Sequence, residues 1–443
     1  MAVFLIVIVI TALVAYKRPY ATVFLPLVLM FLVSLWAVLE ARFNYSPDEM
    51  DHVAAVNYYT SDRWMPPEIG ADEARIAERP HYATTYLYTH DKTYLILGKL
   101  GGVFGKSSAD DSNVVFFRLL SWIIATAAIA WLVWINPGAV LPLAVLPQFF
   151  YFSTYVNGEG LAIAAAVSGF AAALLYRRTN QAVFAGLCAL IAFAAIFLKP
   201  SFYIIHIFNA ALVIVHAAQI RGLLRVLRAP GFFILFCLGA AILGIFLWME
   251  VTVYGSDTIC AAGIGKCDDL AAYQAENATR AMDSIVANSG ASRLDMLLTG
   301  HWVWSSLKSL VGVFGYMTNP IARSLIFVSL ILLSAYFVYT AIFHGRTRPV
   351  FAILLLLSIG FVVFLSIEYS YSYDYQPQGR YIVAAAMLLS FYGPLSNWAS
   401  GGAEEQNAQS HSRLHQTFLT AFTVWGVWMA CAYAYRMSIA LQM

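Results

Sequence analysis

Apolar runs of helical length follow one another along almost the whole chain, each closed by a short polar break. They cover Met1–Tyr16, Ala21–Glu40, Val114–Trp134, Gly138–Tyr155, Leu161–Tyr176, Gln181–Leu198, Phe202–His216, Gly231–Val251, Ile321–Phe343, Val350–Ser366, Tyr381–Trp398 and His415–Arg436. A helix needs roughly 20 mostly apolar residues to cross a bilayer, with a tolerated range of about 17–25. The pattern therefore predicts an all-α, polytopic protein of about twelve spans. Met1 runs into Ala2–Tyr16 without a basic leader or a small-residue cleavage site, so the first run reads as a retained span rather than a signal peptide.

Between the spans the periodicity changes. Lys92–Phe104 carries Tyr94, Leu95, Leu97, Leu100, Val103 and Phe104 at helical spacing, with Lys99 and Lys106 on the polar positions, which suits a helix lying in the interface. His301–Thr318 holds Trp302, Trp304, Phe314 and Tyr316 and predicts a second interfacial helix, because such aromatics favour the headgroup level. Pro47-Asp48 stands where a helix over Glu49–Tyr59 would begin. Residues 399–414 are rich in Gly, Ala, Glu and Gln and read as a mobile loop.

Composition agrees with the pattern. Of 443 residues 61% are hydrophobic and 11% charged, and the net charge is +2, which offers no polybasic surface for nucleic acid. The placement of the few charges sets the orientation. Lys17-Arg18, Arg177-Arg178, the run Arg221, Arg225 and Arg228, and His344, Arg346 and Arg348 fall on one side if the spans alternate, and that side is the cytoplasm. A full crossing at Lys92–Phe104 would put two of these groups outside and is rejected. The first loop (41–113), Asn157-Gly158-Glu159-Gly160, Lys199-Pro200, the loop 252–319 and the loop 368–380 then share the outer face.

The candidate chemistry lies in those outer segments. Asp48, Glu49, Asp51 and His52 put three carboxylates and an imidazole directly after an apolar run, more than anchoring needs, although Asp48 could also cap the helix that follows it. Arg380 follows Gln376-Pro377-Gln378-Gly379 at the return to the membrane, where a guanidinium can grip phosphate as a planar fork or anchor at the headgroups. Lys199 offers a second cation at the same depth, with snorkelling as its alternative. Tyr369, Tyr371, Tyr373, Tyr375 and Tyr381 are dense enough to stack on sugars or to form an aromatic belt. Cys260 and Cys267, with six residues between them in a polar loop, are close enough to pair by disulfide if that loop is oxidised. No Gly-rich phosphate loop and no zinc spacing is present, so nothing demands a cofactor, and a divalent metal is left open.

An acidic pair just after an early transmembrane helix, a long first outer loop and the run Phe116-Phe117-Arg118-Leu119-Leu120-Ser121 resemble the GT-C superfamily of polyprenyl-phosphate-sugar-dependent glycosyltransferases. Pro47-Asp48-Glu49 with His52, Pro147, Val156-Asn157, Phe314-Gly315-Tyr316 and Gln378-Gly379-Arg380-Tyr381 are similar to a bacterial polytopic family of unassigned function. The resemblance spans nearly the whole chain in order, as one transmembrane domain, with each motif short. It implies inverting transfer of one sugar from a polyprenyl-phosphate carrier to a glycan or lipid acceptor, on the outer side of a bacterial inner membrane. In that reading Asp48 is the general base, with Glu49 and His52 beside it. Arg380 and Lys199 meet the donor phosphate, and Glu159, Asn157, Tyr373, Tyr375, Gln378 and Tyr381 contact substrate. Where relatives usually offer an aspartate in the second outer loop, this chain has Glu159. A secondary transporter or flippase is the alternative from another class, and a structural scaffold a third.

Overall fold

The computed structural model describes residues 24–79, 83–106, 111–220, 222–255, 268–278, 286, 289–315, 318–344, 349–372, 375–396 and 408–441. The first apolar run, Cys260, Cys267 and Tyr373 lie outside the described residues.

In chain order the helices are α1 (Phe24–Glu40), α2 (Glu49–Thr60), α3 (Thr93–Val103), α4 (Asp111–Ile135), α5 (Pro147–Tyr151), α6 (Glu159–Thr179), α7 (Ala182–Ala195), α8 (Tyr203–Ile220), α9 (Leu223–Leu227) and α10 (Pro230–Tyr254). They continue with α11 (Asp268–Asn277), α12 (Arg293–Leu298), α13 (Trp302–Gly312), α14 (Arg323–His344), α15 (Pro349–Ser372), α16 (Val383–Ser396) and α17 (Ala408–Ala440). Two antiparallel pairs of two-residue strands, Glu78–Arg79 with Thr84–Thr85 and Val313–Phe314 with Asn319–Pro320, pin loops and build no sheet of their own. The protein is all-α, and among the described residues six helices are long and apolar enough to cross a membrane.

Helices form where they were expected after Lys92 and His301, as α3 and α13, and α2 forms directly after Asp48. Local signals set the boundaries. Pro230 opens α10 at its first turn, where the missing N–H costs nothing. Asn180 closes α6 in the left-handed conformation, its N–H on the Tyr176 carbonyl at 2.7 Å. Ser292 and Asp295 form a reciprocal capping box on α12. The loop expected over 399–414 ends earlier than predicted, because α17 is helical from Ala408.

One expected span is not a continuous helix. Gly138–Tyr155 is hydrophobic enough, but Pro137, Pro142 and Pro147 recur every five residues, and each removes an N–H and blocks the preceding turn. The chain there makes two short 3-10 turns, over Pro137–Ala139 and Leu141–Val145, and then the single turn of α5. Every residue from Ala139 to Phe152 is buried. Broken backbone at membrane depth is tolerated only where protein covers it. Ser390 donates to the Ala139 carbonyl, Gln148 Oε1 accepts the Val313 N–H at 2.9 Å, and Tyr151 shares a 2.8 Å hydrogen bond with Ser46. The segment is thus a wedge joining the first loop to the chain after α13.

Around the wedge, α6 is the central helix. Its apolar window is 83% buried, against 17% for α10. Ala and Gly along α6 let α4, α7 and α8 approach closely. The end of α6 that begins at Glu159 carries the candidate site.

Candidate functional site

Four separate segments meet at that end: the turn before α2, the stretch 84–92, the bend 157–160 with Lys199, and the turn before α16. The first begins at Ser46, tied to Tyr151, and leads into Asp48, whose backbone is left-handed (φ 60°). Asp48 makes no cap to α2. Its carboxylate turns aside and accepts a hydrogen bond from the Tyr86 hydroxyl at 2.9 Å.

Its neighbour is held differently. Glu49 is fully buried and meets Arg118 as a fork, Nε and Nη2 donating at 2.7 and 2.6 Å. The same guanidinium closes the carbonyls of Ala41 and Arg42 at 2.5 and 2.8 Å. Both Glu49 oxygens are thus engaged by Arg118, and the residue expected to tune Asp48 is instead one half of a buried structural pair. Two adjacent carboxylates are separated in role by their partners. His52 is buried, shares a 2.8 Å hydrogen bond with the Tyr94 hydroxyl and stacks on Tyr86 with ring centroids 4.0 Å apart. It backs the ring that holds Asp48.

The bend supplies the second acid. Asn157 donates to the carbonyls of Phe152 and Tyr155 and accepts from the N–H groups of Glu159 and Gly160 at 2.7 and 3.1 Å. Fully buried and so occupied, it starts α6, where it was expected to touch substrate. Glu159 lies 3.8 Å from the Lys199 ammonium, and its Oε2 has no partner among the described residues. Between them Gly158 leaves no room for a side chain: a Cβ there would stand 2.1 Å from Asp91 Oδ2 and 2.5 Å from Lys199 Cε. Asp91 is buried, with one oxygen on the Thr93 N–H at 2.9 Å and the other unpartnered. Burial pushes its carboxyl above the usual range, and Lys199 pulls it back.

The last segment brings Arg380. Its Nη2 donates to Gln376 Oε1 at 3.0 Å and to the Tyr381 hydroxyl at 3.2 Å, and Tyr381 itself donates to Gln376 Oε1 at 2.6 Å. Nε of Arg380 is buried without a partner among the described residues. Gly379 is pressed against α13: a Cβ would stand 2.1 Å from the Leu310 nitrogen, and its own N–H donates to Ser309 Oγ at 2.5 Å. The close approach that glycine permits is therefore to another helix's backbone, and it seats the arginine.

The turns before α2 and α16 border a cleft together with the wedge and α13: it is lined by Pro47, Gln148, Tyr151, Phe152, Tyr155, Ser309, Gln378, Gly379 and Arg380. The Tyr155 phenol feels Glu159, Arg380, Asp48 and Glu49 together, which puts it amid the acids and the guanidinium. Of the expected tyrosines, Tyr381 stays beside Arg380. Tyr375 donates to the Gly300 carbonyl, away from the cleft lining. Among the described residues no group of three His, Cys, Asp or Glu is placed to hold a metal ion.

Asp48, Glu159, Lys199, Gln378, Arg380 and Tyr381, predicted from distant parts of the chain, are thus gathered at one end of the molecule. Tyr86 and Asp91 were not predicted. Their one signal is the polar triplet His90-Asp91-Lys92 among the aromatics Tyr86, Tyr88 and Tyr94. Lys92 pairs with Glu250 of α10, both buried. No protein-family model matches this chain, and no curated protein matches it.

Proposed function

We propose that this protein is a GT-C-like membrane glycosyltransferase of about twelve spans, moving one sugar from a polyprenyl-phosphate carrier to an extracytoplasmic glycan or lipid acceptor. The observation that carries the reading is a held carboxylate and a guanidinium with an unfilled N–H, both close enough to Tyr155 to act on its phenol. Asp48 is oriented by Tyr86, and Arg380 lines the cleft with a buried N–H that has no partner among the described residues.

The chemistry follows from those groups. The acceptor hydroxyl attacks the anomeric carbon while Asp48 takes its proton, help worth about 10²–10⁴ in rate. As the new C–O bond forms, the bond from the anomeric carbon to the lipid phosphate oxygen breaks, and its electron pair leaves on the phosphate. Arg380, with Lys199 across the site, balances that growing charge. Attack opposite the leaving group inverts the anomeric centre. Glu159, Gln378 and Tyr381 are within the same region to bond sugar hydroxyls. The cell would present donor and acceptor at the outer face of a bacterial inner membrane.

Transport is the second reading, favoured by the buried Lys92–Glu250 pair against a membrane-length helix. The two are separated by purified protein in detergent with labelled polyprenyl-phosphate sugars. Transfer of label to an acceptor, with release of the lipid phosphate, is the expected result. Uptake into proteoliposomes without any chemical change would replace the enzyme by a transporter.

A further inference from the structure

We propose that Tyr86 is a positioning residue for this transfer, its hydroxyl holding the Asp48 carboxylate in the orientation from which it takes the acceptor's proton. The inference rests on the glycosyl-transfer reading and deepens it.

Asp48 cannot be oriented by the ordinary device. A carboxylate at the start of a helix normally folds back on the free N–H groups, and this one makes no such bond, because its left-handed backbone directs the side chain elsewhere. The 2.9 Å bond from Tyr86 takes that place. Tyr86 is itself clamped. Its ring stacks on His52 at 4.0 Å, and His52 is tied by Nδ1 to Tyr94, so a rigid aromatic stack from α2 and α3 backs the hydroxyl. The turn that carries it is capped by Thr85, whose Oγ1 accepts the Leu87 N–H at 3.2 Å, and Leu87 is buried. A side chain so fixed loses little entropy in holding its partner.

The charged surroundings place Tyr86 at the centre of the site. The Lys199 ammonium lies 5.9 Å from its ring centroid, and Arg380 reaches it electrostatically. Facing Asp48 are Tyr86 from the first loop, Tyr155 from the bend, and Glu49 and His52 on its own helix, with Glu49 matched by Arg118. A change at Tyr86 therefore falls on Asp48 first. During the reaction Tyr86 keeps its own proton. It donates to the carboxylate throughout, and the bond weakens once Asp48 has taken the acceptor's proton and become neutral.

A hydrogen bond given to the charged form of an acid favours that form. Tyr86→Phe keeps the stack on His52 and removes only the donor. kcat is then expected to fall about tenfold, with affinity for the polyprenyl-phosphate donor unchanged. Because Tyr86 acts through Asp48, the double variant Asp48→Asn with Tyr86→Phe should turn over no more slowly than Asp48→Asn alone. Thermal unfolding in detergent accompanies each variant, and Tyr86→Met stands in should the Phe variant fail to fold. A wild-type kcat in a folded Tyr86 variant, or additive losses in the double variant, would overturn the proposal while leaving the enzyme reading intact. Near wild-type transfer by Asp48→Asn alone would bring down the reading on which it rests.

Discussion

At Asp48 and Arg380 the site divides its work between a proton and a phosphate. Asp48→Asn keeps shape and removes basicity, so donor lipid should bind as before while turnover falls by about 10²-fold or more in a radiolabel transfer assay. Arg380→Lys keeps charge and loses the planar fork with its unpartnered Nε, so donor binding should weaken about tenfold along with turnover. Neither transporter nor scaffold gives a reason for that split. Glu49 behaves as a different kind of residue despite its position. Glu49→Gln leaves the Arg118 guanidinium buried without its counter-charge, and breaking a buried pair costs about 3–5 kcal/mol. A lowered midpoint of thermal unfolding is expected; an unchanged midpoint would return Glu49 to the chemistry. Sequence reasoning found both acids but could not separate them, because what distinguishes them is an arginine 69 positions further along the chain. That arginine had a visible signal of its own. A guanidinium within an apolar run requires a buried counter-charge.

Among the elements, the apolar runs gave helices wherever length and hydropathy were enough, and failed where backbone chemistry overrode them. The wedge over residues 137–151 is as apolar as a span, and its prolines decide against a continuous helix there. Tyr86 and Asp91 sit in a stretch of turns without periodicity, so no pattern marked them. Helix α3 was predictable from its helical spacing and α13 from its aromatics, but the service α13 performs was not. It forms the platform on which Gly379 rests, with Ser309 taking the Gly379 N–H. Gly379→Ala forces a Cβ into the Ser309–Leu310 backbone, so the turn must lift and carry Arg380 with it. Donor binding should fall as it does in Arg380→Lys, with Asp48 undisturbed. Wild-type donor affinity in the alanine variant would show that the turn can yield without moving the arginine.

For the whole molecule, the decisive quantity is which end of α6 faces out. That helix has 21 residues, a length of roughly 30 Å at 1.5 Å per residue, enough to cross the hydrocarbon core. At one end Glu159 stands beside Lys199, near Arg380 and Tyr155. At the other, Arg177 and Arg178 fill the last turn, and Asn180 just beyond them meets His216 at 3.0 Å. His216 is near the far end of α8 from Lys199, so two neighbouring helices carry the same polarity from site to basic end. Arginine in a short loop marks the cytoplasmic side, so the acids, Lys199 and Arg380 are expected on the outside, where a polyprenyl-phosphate sugar would be presented. Single cysteines placed at Ala71 and at Arg177 should differ in labelling by an impermeant maleimide on intact cells, with Ala71 reactive and Arg177 silent until the membrane is opened. Labelling of both from the same side would invert or remove a span between them. The site would keep its geometry, but its substrates would have to be sought in the other compartment.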